Sequence, residues 1–170
     1  AEEWPIAQLP DVVLPDLLPT RYCEADRLGP AARQLFGAVE PGLPRVQAIC
    51  DWLRRHIEYR VGSSLGTTTA LDIFVQRAGV CRDFAHLGIA FCRALNIPAR
   101  MVCGYASFDE PPPDFHAVFE AFLGGRWRLF DPTGLAPTDA LVRIAHGRDA
   151  HDTAFATLYG MARLQAMSPQ

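Results

Sequence analysis

A cysteine stands where a glycine meets a long helical pattern. The segment RAGVCRDFAH covers residues 77–86, and Cys81 within it follows Gly79 and opens a helix predicted over residues 81–96. A thiolate attacks a carbonyl carbon readily, whereas an ordinary free thiol titrates only near pH ~8.5. The first turn of a helix favours negative charge, because unpaired N–H groups and the helix dipole act there. Cys81 is therefore a candidate nucleophile, and its backbone N–H could donate to an oxyanion.

The other four cysteines carry no such signal. Cys50 and Cys92 lie among apolar residues at helical spacing, which is typical of small buried hydrophobic residues. The total of five cysteines is odd and contains no CxxC pair, which favours free thiols over a disulfide framework. We therefore expect a reducing compartment and a cytoplasmic location.

A nucleophilic cysteine requires a base, and five histidines are available. His86 shares the predicted helix with Cys81, but five helical residues correspond to about 500° of rotation, so the two side chains point apart. Three other histidines lie at a helix end or in the weakly patterned C-terminal region. His116 instead opens a predicted strand directly after a proline-rich loop, which makes it the candidate base.

The predicted hairpin places an acid beside this histidine. If Gly124 and Gly125 form a two-residue turn, Asp131 lies opposite Val118 in the paired strands. His116 and Val118 lie on the same side of their strand, so His116 and Asp131 are diagonal neighbours on one face. An aspartate in this position fixes the histidine tautomer and stabilises the imidazolium.

The same face is otherwise mostly apolar. We expect it to cover a helix, because it carries Val118, Phe122, Trp127 and Leu129. Glu120 also falls on it, without an assignable partner.

The remaining pattern predicts one α+β domain over residues 1–170. Four prolines predict an extended arm over residues 1–20, followed by a core over 20–134 and a C-terminal extension over 135–170. Helices are predicted over 28–39, 44–57, 70–77, 81–96 and near 138–146, and strands over 99–108, 116–123 and 126–132.

Composition excludes several classes of function. The net charge is −3, and all 16 basic residues are scattered arginines, so neither a nucleic-acid footprint nor a polybasic membrane patch is expected. No stretch approaches the roughly 18 apolar residues of a membrane span. We expect no cofactor and no membrane partner.

The sequence resembles the transglutaminase-like superfamily, whose members have a papain-like fold with a cysteine–histidine–aspartate triad. The resemblance implies helices packed on an antiparallel sheet, with the catalytic cysteine at the start of the central helix. It implies Cys81 as nucleophile, His116 as base, Asp131 as third member and Tyr59 in HIEYRVG as a second oxyanion donor. The segments that carry it are RAGVCRDFAHLGIAFCRALNIPARMVCGYA, FHAVFEAF and WRLFDPTG.

The implied chemistry is acyl transfer or hydrolysis on an amide or peptide through a thioester intermediate. If water accepts the acyl group, the protein is a protease or deamidase, and if an amine accepts it, the reaction is transglutamination. The expected partner is a peptide or protein substrate. Many relatives carry an N-terminal β-rich domain for which 170 residues leave no room, so a missing N-terminal domain is a further expectation.

Three alternatives remain open. The first is a non-catalytic peptide-binding or protein-binding module with a relic triad. The second is transfer of an acetyl group from coenzyme A, as in the arylamine N-acetyltransferases. The third is a metal site built from Cys81, His86, His116 and Asp131, although no tight ligand spacing such as CxxC supports it.

Overall fold

A computed structural model describes residues 2–107, 114–161, 163 and 165–166. It has the predicted α+β architecture, in which helices pack on an antiparallel sheet. Among the described residues, no helix is both long enough and apolar enough to cross a membrane.

Four α-helices precede the main sheet. The first three are close to their predicted bounds, and α3 begins with a capping box between Thr69 and Asp72. The helices are α1 (Ala25–Phe36), α2 (Leu43–His56), α3 (Ala70–Gln76) and α4 (Cys81–Ala94). The prediction that a helix begins at Cys81 is confirmed.

The main sheet has four antiparallel strands in the order β5-β4-β3-β6. They are β3 (Ala99–Ala106), β4 (Asp114–Leu123), β5 (Arg126–Phe130) and β6 (Leu141–Gly147), while β1 (Glu58–Tyr59) and β2 (Ala78–Gly79) form a separate parallel pair. In the hairpin, Leu123 pairs with Arg126 and Phe119 with Phe130, which confirms the register expected from a two-residue turn.

Strand β6 corrects one prediction. The helix expected near 138–146 is wrong: Thr138–Ala140 is a short 3-10 turn, and Leu141–Gly147 pairs with β3. Val142 and Ile144 favour a strand through their branched side chains, and pairing with β3 outweighs the weak helical spacing. Part of the predicted C-terminal extension therefore belongs to the central sheet.

Helix α4 is the centre of the main core. Its residues Leu87, Ile89 and Phe91 are fully buried between the other helices and the sheet. At Gly88 a Cβ would lie 2.9 Å from the ring of Phe119, so only glycine allows this close approach of helix to sheet.

The N-terminal arm is built differently from the expected extended segment. It contains 3-10 turns at Ile6–Gln8 and Asp11–Leu17, and Leu9 and Val13 pack on Phe122 in a second, smaller core. The hairpin face that carries Phe122 and Trp127 is thus covered by the arm.

Helix α4 packs on the opposite hairpin face, so the expected helix contact is wrong. The residues of that face in the main core include Phe119, Ala121 and Leu123. Strand β4 is buried on both sides from His116 to Leu123, and apolarity could not indicate which face meets the helix. Glu120 does have partners, since Arg100 and Arg143 both pair with its carboxylate.

A buried arginine joins the arm to the rest of the fold. The guanidinium of Arg93 on α4 donates to the backbone oxygens of Leu18, Ala99 and Arg148, at 3.1, 2.8 and 2.6 Å. These bonds satisfy a charge that would otherwise be costly to bury. They also fix the segment that follows β6 against α4.

Candidate active site

The start of α4 is held by a buried carboxylate. Asp83 is fully buried, and its Oδ2 accepts from the backbone N–H of Val80 at 2.9 Å. A Cβ on Gly79 would lie 2.7 Å from the Cβ of Asp83, so this turn requires a glycine. Cys81 follows as the first helical residue and is partly exposed.

Asp83 also fixes the loop that precedes α3. Its carboxylate accepts from the Ser64 hydroxyl and from Arg82, whose Nη2 lies 2.9 Å from Oδ1 and 2.6 Å from the carbonyl oxygen of Leu65. The loop is thereby tied to the turn that presents Cys81.

The parallel pair of short strands, β1 and β2, positions Tyr59 beside Cys81. Tyr59 pairs with Gly79, and the N–H of Arg60 donates to the Gly79 carbonyl at 2.9 Å. The Tyr59 hydroxyl lies close enough to Cys81 for the backbone and the side chain of that residue to affect its pKa. Burial and the neighbouring Cys81 raise the pKa of Tyr59, so its hydroxyl keeps its proton at neutral pH.

His116 lies between the cysteine and the aspartate. It is buried on β4, and its Nε2 lies 3.0 Å from Oδ2 of Asp131. Its side chain also lies within hydrogen-bonding reach of Cys81, which helps to raise the pKa of His116. The structure therefore brings Cys81, His116, Asp131 and Tyr59 together in one place.

The carboxylate of Asp131 is held by four hydrogen bonds. Besides His116, Oδ1 accepts from the backbone N–H and the hydroxyl of Thr133 at 2.9 and 2.7 Å, and Oδ2 accepts from the N–H of Ala136 at 3.0 Å. Arg54 of α2 donates to the backbone oxygen of Asp131 at 3.2 Å. The acid that orients His116 is thus itself fixed by its neighbours.

These contacts decide which groups carry charge. Burial alone would lower the pKa of His116, but hydrogen bonds to Asp131 and Cys81 outweigh it and raise the pKa to about 9. Burial raises the pKa of Asp131, but bonds from His116, Thr133 and Ala136 outweigh it, so the net shift is downward. At neutral pH the site therefore contains an imidazolium beside a carboxylate.

The other cysteines lie in settings that disfavour a thiolate. Burial raises the pKa of Cys23 and of Cys50 to about 12, and it raises the pKa of Cys92 as well. Cys103 is partly exposed, and burial also raises its pKa, although it hydrogen-bonds to Thr153 at 3.4 Å. All five cysteines are free thiols.

Two of the positioning groups were missed by the sequence reasoning. Thr133 donates to the carboxylate two residues before it, an Asx-turn contact that the DPTG motif could have indicated. An aspartate at the third helical position, such as Asp83, is typical of a capped helix start, but nothing in the sequence indicated its bond to Ser64. Over the part of the chain that the structure describes, no three His, Cys, Asp or Glu side chains are placed to hold a metal ion.

Curated relatives are similar to this chain in sequence, and solved structures share its fold. An uncharacterized protein of Mycobacterium leprae is 32% identical, over 81% of this chain and 52% of its own length. A candidate cysteine protease of Cytophaga hutchinsonii superposes with a TM-score of 0.91 at 51% identity, over 94% of this chain and 55% of its own. The periplasmic domain of TgpA from Pseudomonas aeruginosa, bound to ethylmercury, shares the fold with a TM-score of 0.60 at 21% identity, over 79% of this chain and 53% of its own.

The chain spans about half the length of the curated relatives that it matches, with 52% of the Mycobacterium leprae protein and 41% of one from Mycobacterium bovis. The family model for the transglutaminase-like superfamily matches residues 30–132, which contain Cys81, His116 and Asp131. The chain belongs to the transglutaminase-like superfamily.

Proposed function

We propose that the protein is a cysteine-dependent enzyme that acts on amide or peptide substrates through a thioester. The observation that carries this proposal is the position of His116, which contacts Cys81 on one side and Asp131 on the other. Its pKa of about 9 favours an imidazolium at neutral pH, which can supply a proton to the leaving group.

In the first step the Cys81 thiolate attacks the carbonyl carbon of the substrate. The carbonyl oxygen becomes an oxyanion, which accepts from the backbone N–H of Cys81 and the hydroxyl of Tyr59, in place of the contact that these groups make with each other. The imidazolium of His116 then gives its proton to the leaving amine as the carbon–nitrogen bond breaks. The product of this step is a thioester on Cys81.

In the second step water or a primary amine attacks the thioester. Neutral His116 takes the proton from this nucleophile, the carbon–sulfur bond breaks, and the thiolate and the imidazolium are restored. Water yields a carboxylic acid and an amine yields a new amide. The Cytophaga hutchinsonii protein is described as a candidate cysteine protease, which favours water as the acceptor here.

We also propose a reducing, intracellular environment, since all five thiols are free and the proposed reaction needs Cys81 reduced.

Mass spectrometry can test the reaction directly. The protein is incubated with a library of glutamine-containing peptides and a primary amine, and the products distinguish cleavage, deamidation and amine incorporation. We expect Cys81→Ser to abolish every product, whereas the matched Cys50→Ala, which removes a buried thiol on α2, retains them. Products that persist in Cys81→Ser would contradict the proposal, and no product from the unmodified chain would favour the binding-module alternative.

A further inference from the structure

Two distant segments supply the donors that we assign to the oxyanion. The Tyr59 hydroxyl comes from β1, and the backbone N–H of Cys81 comes from the start of α4. The segments are joined by the β1–β2 pair, which covers two residues on each strand. Because an isolated pair this short is not stable by itself, the spacing between the two donors depends on the contacts around it.

The loop at residues 60–69, which follows β1, folds back on the turn that presents Cys81. The Ser64 hydroxyl donates to the carboxylate of Asp83, and Nη2 of Arg82 donates to the carbonyl oxygen of Leu65 at 2.6 Å. Arg82 and Asp83 directly follow Cys81 in the first turn of α4. Two hydrogen bonds therefore tie this loop to the residues next to the proposed nucleophile.

These ties converge on one buried carboxylate. Asp83 is fully buried, and its Oδ2 accepts from the N–H of Val80 at 2.9 Å as well as from the Ser64 hydroxyl. Its Oδ1 accepts from Nη2 of Arg82 at 2.9 Å, and this mostly buried guanidinium offsets the negative charge. Since a buried carboxylate without partners is costly, the turn, the loop and the guanidinium are all held by the same group.

The ring of Tyr59 packs on the same turn of the helix. Its centroid lies 6.0 Å from that of Phe84, the buried residue that follows Asp83. The position of the Tyr59 hydroxyl relative to Cys81 therefore depends on this packing and on the loop that leaves β1.

We propose that three residues, Ser64, Arg82 and Asp83, are positioning residues for the oxyanion. We call them the clamp; it sets the spacing between the Tyr59 hydroxyl and the Cys81 N–H. This inference rests on the proposed function, because the oxyanion forms when Cys81 attacks. The clamp acts through the two donors and needs no contact with the substrate. Its loss should therefore weaken binding of the tetrahedral species and leave binding of the planar substrate unchanged.

Peptide aldehydes test the clamp without turnover. The sulfur of Cys81 adds to the aldehyde carbon and the thiol proton passes to the carbonyl oxygen, so a tetrahedral adduct forms and nothing leaves. The probes are acetylated dipeptide aldehydes that end in alanine, leucine, phenylalanine or arginine. The matching alcohols form no adduct and report binding of the peptide alone, so the ratio of the two dissociation constants isolates the tetrahedral centre.

The variants are Ser64→Ala and Arg82→Gln, and the matched control is Ser63→Ala. The Ser63 hydroxyl lies in the same loop but donates to the carbonyl oxygen of Arg60 at 2.7 Å. We expect each clamp variant to weaken aldehyde binding about tenfold, because a small displacement of an oriented group is costly, and alcohol binding by less than about twofold. Ser63→Ala should leave both constants unchanged. On any peptide that the wild-type protein processes, kcat should fall by a similar factor with KM unchanged.

Each outcome supports or overturns the clamp. Aldehyde binding that survives both clamp substitutions would overturn it, as would equal losses for aldehyde and alcohol, or a loss in Ser63→Ala as large as that in Ser64→Ala. A wild-type protein that binds the aldehydes no more tightly than the alcohols would also overturn it, since no tetrahedral oxygen would then be held. If the expected difference is found but the wild-type protein processes no peptide, the clamp stands and the proposed turnover fails.

Discussion

Two buried histidines of this fold have opposite properties. His86 lies inside α4 and His116 lies on β4, and both are almost completely buried. Burial lowers the pKa of His86 to about 4, whereas bonds to Asp131 and Cys81 raise the pKa of His116 to about 9 in spite of its burial.

The contacts of the two rings explain the difference. The Nε2 of His86 accepts from the N–H of Ala150, and its ring stacks on Tyr22 with the centroids 5.1 Å apart. These contacts suit a neutral imidazole. The Nε2 of His116 faces the carboxylate of Asp131, which suits an imidazolium. Burial alone thus gives a structural histidine, and burial beside a fixed carboxylate gives a candidate acid–base group.

The largest effect that we expect is the loss of turnover caused by His116→Ala. This substitution removes the group that we propose to transfer the proton, so we expect kcat/KM for a peptide amide to fall by about a thousandfold. The matched His86→Ala should change kcat/KM of the folded protein by no more than about twofold. Steady-state kinetics on both variants would check this, and comparable losses would show that the two histidines do not differ as proposed.

The next effect is that of Asp131→Asn, which keeps the shape of the side chain and removes its charge. We expect the pKa of His116 to fall from about 9 toward or below its ordinary value, and turnover to fall about a hundredfold. The alkaline limb of the pH–rate profile reports loss of the His116 proton, so it should move to lower pH. An unshifted limb would contradict the assignment of Asp131, and Asp139→Asn, at an exposed aspartate, serves as the control.

Substitution of His86 should act on stability. His86→Ala leaves the N–H of Ala150 without its acceptor and removes the stack on Tyr22, so we expect the free energy of unfolding to fall by about 2 kcal/mol at pH 7. Urea titration of the variant and the wild-type protein measures this. No loss of stability would contradict a structural role for His86.

The pH dependence of stability should distinguish His86 further. Its pKa is about 4 in the folded state and near 6.5 in the unfolded state, so the unfolded chain takes up the proton first as the pH falls. The free energy of unfolding is therefore unaffected by this group above about pH 6.5. It decreases progressively as the pH falls to about 4, by about 3 kcal/mol in total. His86→Ala should lack this part of the slope in urea titrations at several pH values.

The smallest expected effect is that of Thr133→Val. It removes one hydrogen bond to Asp131, at 2.7 Å, and leaves the other three. We expect turnover to fall severalfold, in line with about 1 kcal/mol for one such bond. Kinetics of this variant beside Thr67→Val, in an exposed loop, would check it, and a loss as large as that of Asp131→Asn would mean that one bond alone positions the acid.

The elements around the site could be predicted because their signals are local. Gly79 before Cys81, Thr69 before Asp72 and Gly124-Gly125 in the hairpin each fix a helix start or a turn within a few residues. The hairpin register then places His116 beside Asp131 by strand alternation alone. No long-range contact had to be known for these steps.

The remaining features depend on contacts between distant segments. Leu141–Gly147 is a strand because β3 offers a free edge, and the arm adopts 3-10 turns because it covers Phe122. The face of β4 that meets α4 was predicted wrongly for the same reason, since both faces are apolar and buried. The pairing of Tyr59 with Gly79 likewise joins segments that show no shared pattern.

Alkylation of the five thiols as a function of pH tests most directly the claim that His116 acts as a charged partner of Cys81. Brief treatment with iodoacetamide followed by peptide mapping gives a rate for each cysteine between about pH 5 and 9. We expect Cys81 to react fastest and to remain reactive below pH ~7, where an ordinary thiol is almost wholly protonated. His116→Ala should abolish this low-pH reactivity, and His86→Ala should leave it intact. If Cys81 reacts no faster than Cys103, or if His116→Ala leaves its pH profile unchanged, the account is contradicted.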